Sequence, residues 1–297
     1  LSALPDSIRG MEEAFVGREL LGRGLTRGQL RSRYKRVKPR VYVPRSASPS
    51  VELDAHAAWL WTDRRGIVAG RAAASLHGAQ WVNLDTPIDM IGPRQRPRRG
   101  VVIRNERIDW DEVCTIGDLA VTTPARTALD LARHLSRDVA VRHLDALAAA
   151  TGLTVDDVAP LLERYRGARG MKRARIALDL MDGGAQSPKE TWLRLLVVDA
   201  GYPRPRTQIR VSDGVAEAFL DMGWDEPMIA LDYDGEQHQT ERRRFVHDIG
   251  RNALVERLGW LDIHVVKEHS RGLILHRLRE AAERRGWFPL AKRTPGS

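Results

Sequence analysis

"IALDYDGEQH", residues 229–238, sets two aspartates two positions apart in a run that otherwise reads as a buried strand. A strand turns successive side chains to opposite faces, so Met228, Ala230, Asp232 and Asp234 share one face and Ile229, Leu231 and Tyr233 the other. Like charges on one face of a buried strand protonate or cost stability unless a positive charge lies between them. A divalent cation meets that need, and carboxylate oxygens suit Mg²⁺ or Mn²⁺ rather than Zn²⁺. Asp221, ending the preceding strand "VAEAFLDMGW", is placed to bring a further carboxylate to the same point across an antiparallel pair.

Upstream, "SPKETWLRLLVVDAGY" carries a helix-start signature, with Ser187 as N-cap, Pro188 at the first helical position and Glu190 three residues after the cap. "TQIRV" is a further strand. Downstream lie a helix, "TERRRFVHDIGRNALVERLGW", a strand, "LDIHVVKEH", and a last helix, "SRGLILHRLREAAERRGW". Helix, strands with carboxylates, helix, strand, helix predicts a restriction-endonuclease-like α/β core over residues 185–297.

Residues 187–285 resemble, as one block, the Vsr-like (very-short-patch-repair-like) endonucleases of the PD-(D/E)XK superfamily. The resemblance rests on "SPKETWLRLL", "FLDMGW", "IALDYDGEQH", the helix with Phe245, Asp248, Arg251, Leu254 and "LGW", and the "IHVV" strand. It implies Mg²⁺- or Mn²⁺-dependent phosphodiester hydrolysis, with Asp221 the principal metal ligand and Asp232 the second. It marks Glu190 as the helix carboxylate near the active site, and Asp234 and His238 as neighbours of the scissile phosphate. In that chemistry the metal polarises the phosphate and activates a water, and His238 moves a proton. Arg242, Arg243, Arg244 and Arg251 would hold the nucleic-acid backbone. Two departures stand out: Asp232 occupies a position where Glu is commoner, and Asp234 replaces the superfamily's lysine, for which Lys267 is a candidate stand-in. Each acidic residue also has a structural reading. Glu190 completes a capping box, Asp221 terminates a strand, and Asp234–Gly235 makes a hairpin turn. His247, His264, His269 and His276 lack the spacing of a zinc site.

The first fifty residues hold eleven Lys and Arg against four Asp and Glu, which is +7 of the net +9. Apolar positions Phe15, Val16, Leu20 and Leu21 recur at helical spacing from Met11 to Leu21, and "GRGL" breaks the pattern. Thr26 caps a second helix, "RGQLRSRYK", with Leu30 and Tyr34 facing inward, and "RVKPRVYVPRS" follows as a hairpin. This order predicts a winged helix-turn-helix over residues 1–50. Arg27, Arg31, Arg33, Lys35, Arg36 and Arg40 are candidates to neutralise phosphates or read guanine edges, although a charge run can equally be a solvated face.

Residues 51–135 read as a mixed α/β middle region and 136–184 as a helical linker ending at Gly183 and Gly184. Thr123 before Pro124 starts a helix on which Arg126 and Asp130 can pair. With the winged helix, "GRAAASLHGA" and "VTTPARTALDLA" resemble the AbiEi-type antitoxins over residues 10–135. That resemblance implies operator DNA as a ligand and a toxin as a partner. His77 reads as a packed structural group, and Arg94, Arg96, Arg98 and Arg99 as a loop that can touch phosphates.

A length of 297 residues supports two or three domains. The single cysteine, Cys114, excludes an internal disulfide and a cysteine-rich zinc site. The absence of a long apolar run or a signal-peptide pattern makes the cytoplasm the expected compartment. No glycine-rich lysine motif supports an NTPase. Two functions fit: a metal-dependent nuclease targeted by a winged helix, with a homodimer as a candidate assembly, or a DNA-binding regulator or antitoxin whose nuclease fold has lost its chemistry.

Overall fold

The computed structural model describes residues 13–93, 99–234 and 242–288, and of residues 242–249 the backbone alone. It divides at Gly183/Gly184 into two units, each a mixed α/β body.

The first unit opens with strand β1 (Phe15–Val16), helix α1 (Gly17–Gly22), helix α2 (Arg27–Arg33) and strands β2 (Tyr34–Lys38) and β3 (Val41–Pro44). The three strands pair in the order β1-β3-β2, giving two helices and a wing. Thr26 and Gln29 cap α2 reciprocally: Thr26 Oγ1 accepts from the Gln29 N–H at 3.2 Å and Gln29 Oε1 from the Thr26 N–H at 2.9 Å. Both helices are shorter than their apolar spacing predicts. Phe15 and Val16 belong to a strand, and Tyr34 leaves the helix in an extended conformation with its ring edge-on to Phe15 at 5.9 Å. Aromatic contact across the sheet outweighs another half-turn of helix.

Helix α3 (Val51–Trp61) is buried along nearly its whole length. After it come β4 (Ile67–Ala69), α4 (Gly70–Leu76), β5 (Ile88–Ile91), β6 (Val101–Arg104), β7 (Val113–Ile116) and β8 (Leu119–Thr122). These strands form one sheet, in the order β6-β5-β4-β8-β7. One apolar cluster runs from Ala14, Val16, Val41 and Val43 through Trp59 and Trp61 to Val68, Met90 and Val121, so the wing and this sheet share a core.

Helices α5 (Pro124–His134), α6 (Arg137–Thr151), α7 (Val155–Arg164) and α8 (Met171–Asp179) complete the unit. Residues 136–184 are therefore not a linker in shape. Val141, Leu144, Leu147, Val158, Ala174 and Leu178 are fully buried, and the polar look of the stretch comes from the outward faces of α6–α8. Arg126, also fully buried, ties the helices to the sheet. Its Nε donates to Asp130 Oδ1 at 3.0 Å and its Nη1 to Glu112, to the Tyr165 hydroxyl at 3.1 Å and to the Arg107 carbonyl at 3.1 Å. His77 Nε2 lies 2.7 Å from the Thr122 carbonyl, a packed structural role.

The second unit runs α9 (Pro188–Asp199), β9 (Arg206–Ser212), β10 (Glu217–Trp224), β11 (Ile229–Tyr233), α10 (Arg242–Arg257), β12 (Leu261–Val265) and α11 (Arg271–Arg284). Its sheet has the order β12-β11-β10-β9, antiparallel except for the parallel pair β11–β12, which α10 connects as a crossover. Leu193, Val197, Met222, Leu231, Ile263, Val265, Ile274 and Leu278 form the core beneath α9 and α11. Leu220, Ala230, Leu254, Val255 and Trp260 form a second core beneath α10. Leu220 and Met222, two positions apart, fall in different cores, so the alternation of β10 slips at Asp221. Asp221 thus lies inside β10, not at its end.

Candidate functional site

The sequence carries two charged regions of interest, and each lies in a different unit. In the first unit, Leu30 anchors α2 to the core and leaves Arg27, Arg31 and Arg33 exposed, while Lys35 and Arg36 extend the basic surface onto β2. None of these five has an ion pair among the described residues. Arg40, in the β2–β3 turn with φ of 66°, pairs with Asp63 at 3.3 Å, so its charge is partly spent within the protein. Arg23, exposed at the C-cap of α1, adds a cation that sequence reading passed over as part of a helix-breaking turn. The surface combines a short helix, exposed cations and a wing. Of the basic loop, Arg99 is exposed, and Arg94, Arg96 and Arg98 lie outside the described residues.

In the second unit the structure brings four of the five predicted catalytic residues near one another, around β10 and β11. Asp221 and Asp232 face each other across β10 and β11, in line with the register Met222↔Leu231. Each completes the other strand's backbone: Asp232 Oδ1 accepts from the Asp221 N–H at 2.7 Å, and Asp221 Oδ2 accepts from the Tyr233 N–H at 2.8 Å. Asp232 is 4% exposed. Burial, then the charges of Asp232 and Glu190, push Asp221 up to about 7.

Glu190 is buried at the start of α9, where its N–H donates to Ser187 Oγ at 3.1 Å and its Oε2 accepts from the Gln186 N–H at 2.8 Å. Ser187 thus caps the helix, but Glu190 does not complete a reciprocal capping box, because its carboxylate takes the Gln186 N–H and not that of Ser187; burial raises the Glu190 carboxyl. Asp234 follows β11, its Oδ2 3.0 Å from His264 Nδ1. His238 and the side chains of Arg242, Arg243 and Arg244 lie outside the described residues. Lys267, offered as a stand-in lysine, lies exposed beyond the end of β12.

Two participants were not anticipated. Asp262 and His264 alternate with Ile263 and Val265 on β12, and the register Ala230↔Asp262 and Asp232↔His264 sets them beside Asp232. The period-2 pattern of "LDIHVV" carried that signal, but only the parallel pairing with β11 gives it meaning. Asp262 is pushed up to about 7 by burial and then by the charge of Asp232, and its Oδ1 lacks a hydrogen-bond partner among the described residues. The bond to Asp234 raises the His264 imidazole.

The largest correction concerns Arg251. The sequence assigns it to nucleic-acid backbone, but it turns inward. Its Nη2 pairs closely with Asp232 Oδ2 and donates to the Phe219 carbonyl at 2.9 Å, while Nη1 reaches Asp262 Oδ2 at 3.4 Å.

Among the comparisons with known proteins, the family match lies within the first unit. Residues 65–180 match the AbiEi antitoxin C-terminal domain, a span that begins downstream of the wing and includes α6–α8, whereas the resemblance legible in the sequence covers 10–135. Two Mycobacterium tuberculosis proteins, uncharacterized protein Rv2248 (strain ATCC 25618 / H37Rv) and uncharacterized protein MT2308 (strain CDC 1551 / Oshkosh), are each 30% identical over 202 residues, covering 67% of this chain and 73% of theirs. The crystal structure of RV2827C protein from Mycobacterium tuberculosis superposes with a TM-score of 0.40 at 17% identity, over 68% of this chain and 84% of that one, a likeness too slight to argue from. The chain belongs to the family of these two mycobacterial proteins, and its residues 65–180 are similar to the AbiEi antitoxin C-terminal domain.

Proposed function

We propose that the protein is a DNA-binding regulator of the antitoxin type. The observation that carries this reading is the cluster of exposed cations Arg27, Arg31, Arg33, Lys35 and Arg36 on and beside a capped helix of the winged region, next to an AbiEi antitoxin domain. The winged region would place α2 against duplex DNA, with the cations on phosphates and one or two arginines on guanine edges. A toxin is the protein partner that the antitoxin domain suggests.

Fluorescence anisotropy with the full chain, duplex fragments and a salt series tests this reading. Footprinting of the bound fragments then identifies the sequence read. Protection of a defined site with a steep salt dependence is the expected result. Salt-independent or absent binding would end the proposal.

A metal-dependent nuclease is the second reading, supported by the convergence of Asp221, Asp232 and Asp234 in an αβββαβα unit with Glu190 on its first helix. The fit of a metal can be judged from the donors. Asp232 spends one oxygen on the Asp221 N–H and the other on Arg251, Asp221 spends one on the Tyr233 N–H, and Glu190 spends one on the Gln186 N–H. Among the described residues, the acidic and histidine groups whose ligand atoms gather within 4.8 Å in threes are Glu106–Asp130–His134 and Asp109–Asp111–Glu112, both in the first unit. The described carboxylates of the second unit, in this arrangement, do not fit a shared Mg²⁺ or Mn²⁺.

A further inference from the structure

We infer that Arg251 takes the place a divalent metal would fill, as the built-in counter-cation of the carboxylate cluster that β10, β11 and β12 share. The need for a positive charge is set by the fold. Asp221 and Asp232 meet across one strand pair, the parallel pair adds Asp262 beside them, and the side chains of Asp232 and Asp262 are only 5% and 8% exposed. Charges taken out of water at that spacing need an opposite charge in contact with them.

Arg251 supplies it from α10, the helix that covers this face of the sheet. Its guanidinium touches the Asp232 and Asp262 carboxylates and is oriented by a third acceptor, the Phe219 carbonyl on β10. A planar fork with five donors can reach three acceptors on three strands in this way, which an ammonium cannot. His264 adds to the balance from the other side, 3.3 Å from Asp262 and 3.0 Å from Asp234. The cluster is therefore cross-linked by hydrogen bonds from the protein itself. An arginine committed here is withdrawn from nucleic-acid backbone, and a metal would have to displace it.

The experiment uses the full-length protein, Arg251→Met and Arg251→Lys, each melted in EDTA, in millimolar Mg²⁺ and in millimolar Mn²⁺, with calorimetric titration of Mn²⁺ alongside. The wild type should melt at the same temperature in all three and show no binding heat. Arg251→Met should melt lower in EDTA and regain stability with Mn²⁺, because the freed carboxylates then accept an external cation. Arg251→Lys should fall between them. An EDTA-reversible rise in the wild-type melting temperature that Asp232→Asn abolishes would overturn the inference, as would an Arg251→Met protein indifferent to Mn²⁺. Should Arg251→Met fail to fold, Arg251→Met/Asp232→Asn restores the charge balance and should recover the fold. Failure of this double variant would also count against the inference. None of these readouts depends on DNA binding by the winged region.

Discussion

The Asp221 N–H and Asp232 Oδ1 stand 2.7 Å apart, so a side chain closes the step of the β10–β11 ladder that a backbone carbonyl would otherwise close. A residue in that position is structural as well as acidic, and its replacement reports on both roles.

Asp232→Asn should destabilise the protein by about 3–5 kcal/mol, the usual cost of breaking a buried charge pair by removing one partner. The amide keeps an oxygen for the Asp221 N–H but leaves Arg251 without its nearest counter-charge. Relief of repulsion between empty metal ligands, which the sequence alone suggests, gives the opposite sign. Urea unfolding of the full chain distinguishes the two, and an increase in stability would favour the metal site.

The second unit should lose stability as the pH rises. Asp221 and Asp262, both at about 7 against an ordinary 3.8, bind protons more readily folded than unfolded. Their folded forms are therefore favoured at low pH, and that advantage is lost between about pH 4 and 7. His264, raised above 6.5 by Asp234, acts in the same direction: its contribution is complete below 6.5 and disappears as the pH passes its folded value. In the first unit His143, lowered to about 4 by burial, works oppositely. The test is thus the difference between wild type and Asp221→Asn, whose amide mimics the protonated carboxyl: melting curves across this range should lie close together at acid pH and separate as the pH rises, with the variant the more stable. Parallel curves would refute the assignment.

Arg126→Met should cost the first unit about 3–5 kcal/mol, because Glu112 and Asp130 would remain buried with one counter-charge fewer. Arg164, 2.6 Å from Glu112, softens the loss without reaching Asp130. Thermal unfolding followed by circular dichroism measures it, and a change within about 0.5 kcal/mol, typical of a surface site, would show the network to be dispensable.

Replacing Arg27, Arg31, Arg33, Lys35 and Arg36 singly by alanine should weaken duplex binding and flatten the log–log salt dependence by up to about 0.9 for each phosphate no longer neutralised. A residue that reads a base edge would instead lower affinity for the preferred sequence alone, by about 1–3 kcal/mol. Arg40→Ala should have a smaller effect because Asp63 already neutralises part of its charge. Anisotropy at several salt concentrations separates the three cases.

Signals in the sequence are legible where they act locally. Thr26, Ser187 and Thr123 cap their helices, Arg126 pairs with Asp130, and β11 places Ala230 and Asp232 opposite Leu231. What could not be read depends on distant partners. The β7–β8 hairpin hides in "VCTIGDLAVT", where alternation is weak and the turn is a glycine at φ 62°. Arg251 sits in a helix rich in arginine, and nothing in its neighbours says that it bends back onto Asp232 across the sheet. Asp262 becomes part of the carboxylate cluster only through the parallel register of β12.

The apolar seam from Ala14 and Val43 through Trp59 to Met90 has a mechanical meaning. A reading head hung on a flexible tether samples many attitudes and adjusts to whatever groove it meets. Here the wing strands share one core with α3 and the sheet, so a duplex held by α2 and the wing as proposed would meet a body that folds as one. Such a tool tolerates little misalignment. Two copies bound side by side would act as a caliper, and an insertion of a few base pairs between half-sites should cost far more than the few hydrogen bonds it breaks.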